Sequence, residues 1–176
     1  MKEITIQIPE GKKVVLTFID KTDNPPVTER IKTFKDACNE LGNRHPLVKQ
    51  YDFINAVYEG DATAKDLIAY LKLRVIVAVL NEGWKPEFTE DEYKYFPWFR
   101  FYTEEEYNEL DDKDKECCVL RSGVSARSIF GFVCCFAGND ASFSYAFHGS
   151  RLAFKTRELA VYAGKQFIKE YFDYIC

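Results

Sequence analysis

The stretch from Gly149 to Cys176 constrains the fold more than any other. A short strand pattern, Arg151-Leu-Ala-Phe154, runs straight into the strongest helical pattern in the sequence. Thr156 stands where an N-cap belongs, and Glu158 follows in the first turn, where the helix dipole favours negative charge. Leu159, Ala163, Phe167 and Tyr171 recur every four residues and are flanked by Ala160, Ile168, Phe172 and Ile175. Glu158, Lys165, Gln166, Lys169, Glu170 and Asp173 lie opposite them. A wide apolar stripe of period 3.6 has to be buried, so the rest of the chain must supply a sheet or helices to cover it.

Both are supplied. Ile4, Ile6 and Ile8 alternate with polar residues, Pro9-Glu-Gly11-Lys12 is a turn, and Val14 to Ile19 is a return strand, which together predict an N-terminal β-hairpin. The connector from Lys21 to Pro26 makes residues 1–26 a possible appendage to a single domain of 1–176. Thr33 with Asp36 opens a helix that Gly42 stops, and His45-Pro46 opens a second in which Leu47, Val48, Tyr51, Ile54 and Tyr58 pack inward. Thr63 with Asp66 caps a third, running to about Glu82 and apolar on nearly every side from Leu71 to Leu80. Trp98 to Tyr102 reads as a strand, and Thr103 with Glu106 opens an acidic helix reaching about Lys115. Strands follow over 117–121 and 129–136, with a turn at Gly138-Asn-Asp140 and a return strand over 143–147. On that hairpin Phe130, Phe132, Cys134 and Phe136 share one face, and Gly131, Val133 and Cys135 the other, which is small enough for the final helix to approach at Gly164. The expected fold class is α+β: an antiparallel sheet over about residues 98–154 packed by helices, with the N-terminal hairpin and the C-terminal helix.

A chain of 176 residues buries enough surface to need no metal or disulfide. The six cysteines make no C-x-x-C and no zinc-ligand spacing, so they read as reduced and buried, and neither metal nor cofactor is expected. A net charge of −4 disfavours nucleic acid as a partner. The absence of an apolar leader and of any long apolar run points to a soluble intracellular protein with no membrane partner.

Several segments resemble a family of small proteins from Bacteroides-type gut bacteria and their phages and prophages. They are Thr33-Phe-Lys-Asp-Ala-Cys, Ala69-Tyr-Leu-Lys-Leu-Arg, Leu80-Asn-Glu-Gly-Trp-Lys-Pro86, Tyr95-Phe-Pro-Trp-Phe, Gly149-Ser-Arg-Leu-Ala-Phe-Lys155 and Glu158-Leu-Ala-Val-Tyr-Ala-Gly-Lys-Gln-Phe167. The resemblance covers nearly the whole chain. It implies a phage or mobile-element setting, with a cytoplasmic or virion location, and carries over no catalytic or binding residue.

Residues that packing does not explain form two groups. Between Trp84 and Tyr102, nine of nineteen residues are aromatic, and Trp84, Tyr95, Trp98 and Arg100 are of the types that dominate binding hot spots. His148, Arg151 and Lys155 cluster around a tight turn. The functional expectation is a non-enzymatic binding or structural protein with a protein partner, or one that self-associates through Trp84, Tyr95 and Trp98. Two alternatives remain. Ring-covered strands with Arg121, Arg127 and Arg151 would suit single-stranded nucleic acid, because Ser128-Ile-Phe-Gly-Phe-Val-Cys-Cys135 half matches an RNA-stacking strand. A small hydrolase or transferase would centre on His148 with Ser150 or a cysteine, although no motif activates either nucleophile.

Overall fold

A computed structural model of the chain describes residues 25–87, 89, 91–112, 115, 119–120, 131–140 and 150–176. The elements are α1 (Val27–Arg30), α2 (Phe34–Leu41), α3 (Pro46–Val57), a 3-10 turn (Ala62–Ala64), α4 (Lys65–Leu80), β1 (Lys94–Tyr102), α5 (Glu104–Asn108), β2 (Val119–Leu120), β3 (Gly131–Asp140), a second 3-10 turn (Ser150–Leu152), α6 (Arg157–Gln166) and α7 (Ile168–Ile175).

The expected architecture, an antiparallel sheet over about residues 98–154 with an N-terminal β-hairpin, does not describe the molecule, which is mostly helical. The hairpin lies outside the described residues, as do the return strand over 143–147 and the turn containing His148. The described strands form a small antiparallel group in the order β1-β3-β2. The reason lies in α4. Leu71, Leu73, Val75, Ile76, Val77, Val79 and Leu80 are all buried, covering most of its circumference, and its neighbours are the helices α2, α3 and α7. A helix apolar all round needs cover on several sides. Helices supply most of it, so the core is built from α1–α4, α6 and α7 with Leu152 and Phe154.

Local signals set the helix ends. Thr33 and Asp36 form a complete capping box, and so do Thr103 and Glu106. His45 Nδ1 accepts from the Leu47 N–H, and Thr156 Oγ1 accepts from the Leu159 N–H. Thr63 is not the cap of α4. Asp61 accepts from the Thr63 N–H and hydroxyl instead, and a 3-10 turn precedes the helix. The acidic helix α5 ends at Asn108, and helical structure resumes at Asp112 and Lys115, where the Lys115 N–H donates to the Asp111 carbonyl at 3.0 Å.

The C-terminal helix is two helices. It breaks at Phe167, which is buried and adopts φ −113°, ψ 34°. The break lets one apolar stripe serve two surfaces: α6 lies on β1 and β3, and α7 lies on α4. The close approach expected at Gly164 exists, and Cys134, expected on the ring-covered face, lies against it. A Cβ at Gly164 would stand 2.4 Å from Cys134 Sγ and 2.7 Å from Pro97 Cβ. The pairing of β1 with β3 shifts register between Trp98 (opposite Phe136) and Phe99 (opposite Cys134). Gly138-Asn139-Asp140 is strand rather than turn, paired with Phe96, Tyr95 and Lys94, so a partner strand overrides local turn preference. Among the described residues, no helix is long and apolar enough to cross a membrane.

Candidate functional site

Arg151 to Phe154 does not form the expected strand. Ser150–Leu152 is a 3-10 turn, and the extended piece after it is held on both sides by groups far away in sequence. On one side the Phe154 N–H donates to the Tyr95 carbonyl at 2.9 Å, and the Tyr95 N–H donates to the Phe154 carbonyl at 3.0 Å. On the other side a side chain takes the place of a strand. Asn81 Nδ2 donates to the Ala153 carbonyl at 2.8 Å, and Asn81 Oδ1 accepts from the Lys155 N–H at 3.1 Å. Extended backbone points alternate residues in opposite directions, so one amide group meets the bonding needs of residues 153 and 155 while Tyr95 meets those of residue 154. Asn81 is buried and sits at the C-cap of α4, where its own N–H donates to the Val77 carbonyl.

The chain reverses directly after it. Glu82 has φ +49° and Gly83 φ +86°, and the Trp84 N–H returns to the Asn81 carbonyl at 3.0 Å. A left-handed backbone at glutamate is uncommon, and here the carboxylate is held from two sides. Arg30 Nη2 lies at 3.1 Å and Lys155 Nζ at 3.4 Å, while Arg30 also pairs with Glu40. These groups line an open cleft of about 1010 Å³ between α1, the ends of α2 and α4 and the start of α6, and its three carboxylates (Glu40, Glu82 and Glu158) outnumber its two cations (Arg30 and Lys155), so it does not favour an anionic ligand.

The clamp fixes the start of β1, and the strand carries rings outward from there. Tyr95 is half-buried against the core, whereas Trp98 is 51% exposed, Phe101 39% and, just before the strand, Tyr93 53%. Arg100 is exposed and positioned. Its guanidinium lies 4.7 Å from the Tyr102 ring centroid and 3.4 Å from Glu106 Oε1. Glu106 is itself fixed, because its other carboxylate oxygen accepts from the Thr103 N–H at 3.0 Å. That backbone hydrogen bond, with Arg100 nearby, holds the Glu106 carboxyl below its ordinary value.

Two of the sequence-derived groups therefore meet. Trp84, Tyr95 and Lys155 converge on the Asn81 clamp, and Trp98 and Arg100 extend along the strand that leaves it. Arg151 is exposed on the 3-10 turn, and Lys155 is half-buried with Glu82. His148, Arg121, Arg127, Phe130, Phe143 and Tyr145 lie outside the described residues. Among the described residues no three His, Cys, Asp or Glu side chains converge as a metal site would require. Sequence reasoning missed Asn81, Glu82, Arg30, Tyr93 and Phe101. The usable signal for the first two was Asn-Glu-Gly after a long apolar helix, where a polar residue closes the last turn and glycine reverses the chain.

No protein family, curated protein or solved structure matches the chain.

Proposed function

We propose that the chain is a non-enzymatic binding protein that engages a protein partner through β1. The observation that carries this is the pairing of a half-exposed Trp98 with a positioned Arg100 on a strand whose start is clamped to the core. Trp and Arg are enriched among residues that dominate binding energy, and a rigid strand lowers the entropy lost on binding. Tyr93, just before the strand, and Phe101, on its other face, are also exposed. In the setting that the sequence resemblance implies, the partner belongs to a phage, a mobile element or its bacterial host.

The test is a photo-crosslinking residue at position 98 in cells of that type, with the same residue at exposed position 35 as the control. The proposal expects one discrete adduct from position 98, absent from position 35 and weakened by Arg100→Glu. Matching adducts from both positions would refute it.

A further inference from the structure

Helix α3 has two apolar faces, and the core uses only one. Val48 is buried and Leu47, Tyr51 and Ile54 are half-buried on the inner side. On the outer side Phe53 is 67% exposed and Val57, one turn later, 57%, with exposed Ala56 between them. Tyr58, expected to pack inward, is 39% exposed at the end of the helix. Phenylalanine and valine one turn apart form a continuous stripe, and neither α4 nor α2 covers it.

The polar residues beside this stripe indicate what covers it. Lys49 lies exposed at its N-terminal end and Glu59 exposed at its C-terminal end. Neither has an ion-pair partner among the described residues. A second copy of α3 laid antiparallel across a two-fold axis near Phe53 and Ala56 puts Lys49 of each copy beside Glu59 of the other. The same arrangement sets the positive end of one helix dipole against the negative end of the next. A parallel arrangement would put like charges together.

We infer that the outer face of α3 is the contact surface of an antiparallel homodimer. Phe53, Ala56 and Val57 form its apolar centre, and Lys49 and Glu59 fix its direction. The contact is only one helix face of three turns, small against the roughly 1,200 Å² at which standard stable interfaces begin, so the dimer is weak and its dissociation constant micromolar. This surface is distinct from β1, and the two stand or fall separately.

Sedimentation velocity on the full chain, from low micromolar to submillimolar concentration, tests the inference. The wild type should pass from monomer to dimer. Phe53→Glu should raise the dissociation constant at least about tenfold with an unchanged melting curve, since the side chain is exposed. Val57→Glu serves if Phe53→Glu fails to fold. Lys49→Glu alone should weaken the dimer, and Lys49→Glu with Glu59→Lys should restore it. Trp98→Ala should leave it unchanged. A strict monomer overturns the inference, as does a dimer indifferent to both Phe53→Glu and Val57→Glu, or one lost on Trp98→Ala. A double swap no tighter than the single variant overturns the antiparallel arrangement.

Discussion

Gly164→Ala distinguishes two accounts of the final helices by the sign of its effect. Gly164 lies inside α6, where exchanging glycine for alanine at an open site stabilises a helix by about 1 kcal/mol. Gly164 is not at an open site. The added Cβ would stand 2.4 Å from Cys134 Sγ, 2.7 Å from Pro97 Cβ and 3.2 Å from Cys134 Cβ. Comfortable carbon contacts are about 3.5–4.0 Å, so the first two overlap by roughly an ångström. Neither neighbour yields easily, because Pro97 is a ring and both residues are buried in strands. Relief requires α6 to lift from the sheet. Overpacking of this kind costs about 1–3 kcal/mol, here at the upper end, which leaves a net loss of about 2 kcal/mol after the propensity gain. For a chain of this size that is about 4–8 °C in Tm. Urea unfolding at neutral pH measures it directly. Adding Cys134→Ala removes the nearest atom, and the pair should be less destabilised than the sum of the singles by about 1 kcal/mol. A Gly164→Ala protein more stable than wild type would refute the close packing of α6 on β1 and β3.

Other outcomes follow from the same structure. Asn81→Ala removes two hydrogen bonds at a buried position and strands the groups they satisfied, so urea unfolding should show a loss of about 2–4 kcal/mol, with faster amide exchange at Lys155. Tyr171→Phe should raise stability by about 1 kcal/mol in the same assay, because the buried Tyr171 hydroxyl has no hydrogen-bond partner among the described residues and burial holds its pKa up. The side-chain bond from Thr33 lowers the Asp36 pKa, and the Thr103 N–H lowers that of Glu106. A lowered folded pKa gives stability that is full above the unfolded value, near 4, and lost as pH falls through the folded one. The urea midpoint should therefore drop below about pH 4, with a shallower slope in Asp36→Asn and in Glu106→Gln.

The sequence was most legible where structure is decided locally. The capping boxes at Thr33 and Thr103 and the caps at His45 and Thr156 need only three or four neighbours, and they stand where the pattern put them. The all-round apolar character of α4 likewise marked a buried helix. Outcomes decided by distant partners were not legible. The residues 153–155 alternate like a strand, but their bonding groups go to an asparagine more than seventy positions earlier and to a single residue of β1. Gly138-Asn-Asp140 carries turn chemistry that strand pairing overrides, and the four-residue period across Phe167 hides a break that serves two packing surfaces. At the candidate site, Trp84, Tyr95, Trp98, Arg100 and Lys155 were visible as residues without a local packing reason. The clamp that joins them was not, because Asn81 reads only as the polar end of a helix.

The surface assigned to binding depends first on the exposure of Trp98. The chain has two tryptophans, so Trp84→Phe leaves Trp98 as the sole reporter. The structure predicts red-shifted emission that acrylamide quenches readily, because about half of Trp98 meets water midway along a clamped strand. Blue-shifted emission shielded from acrylamide would place Trp98 in the core and contradict its role as a binding residue.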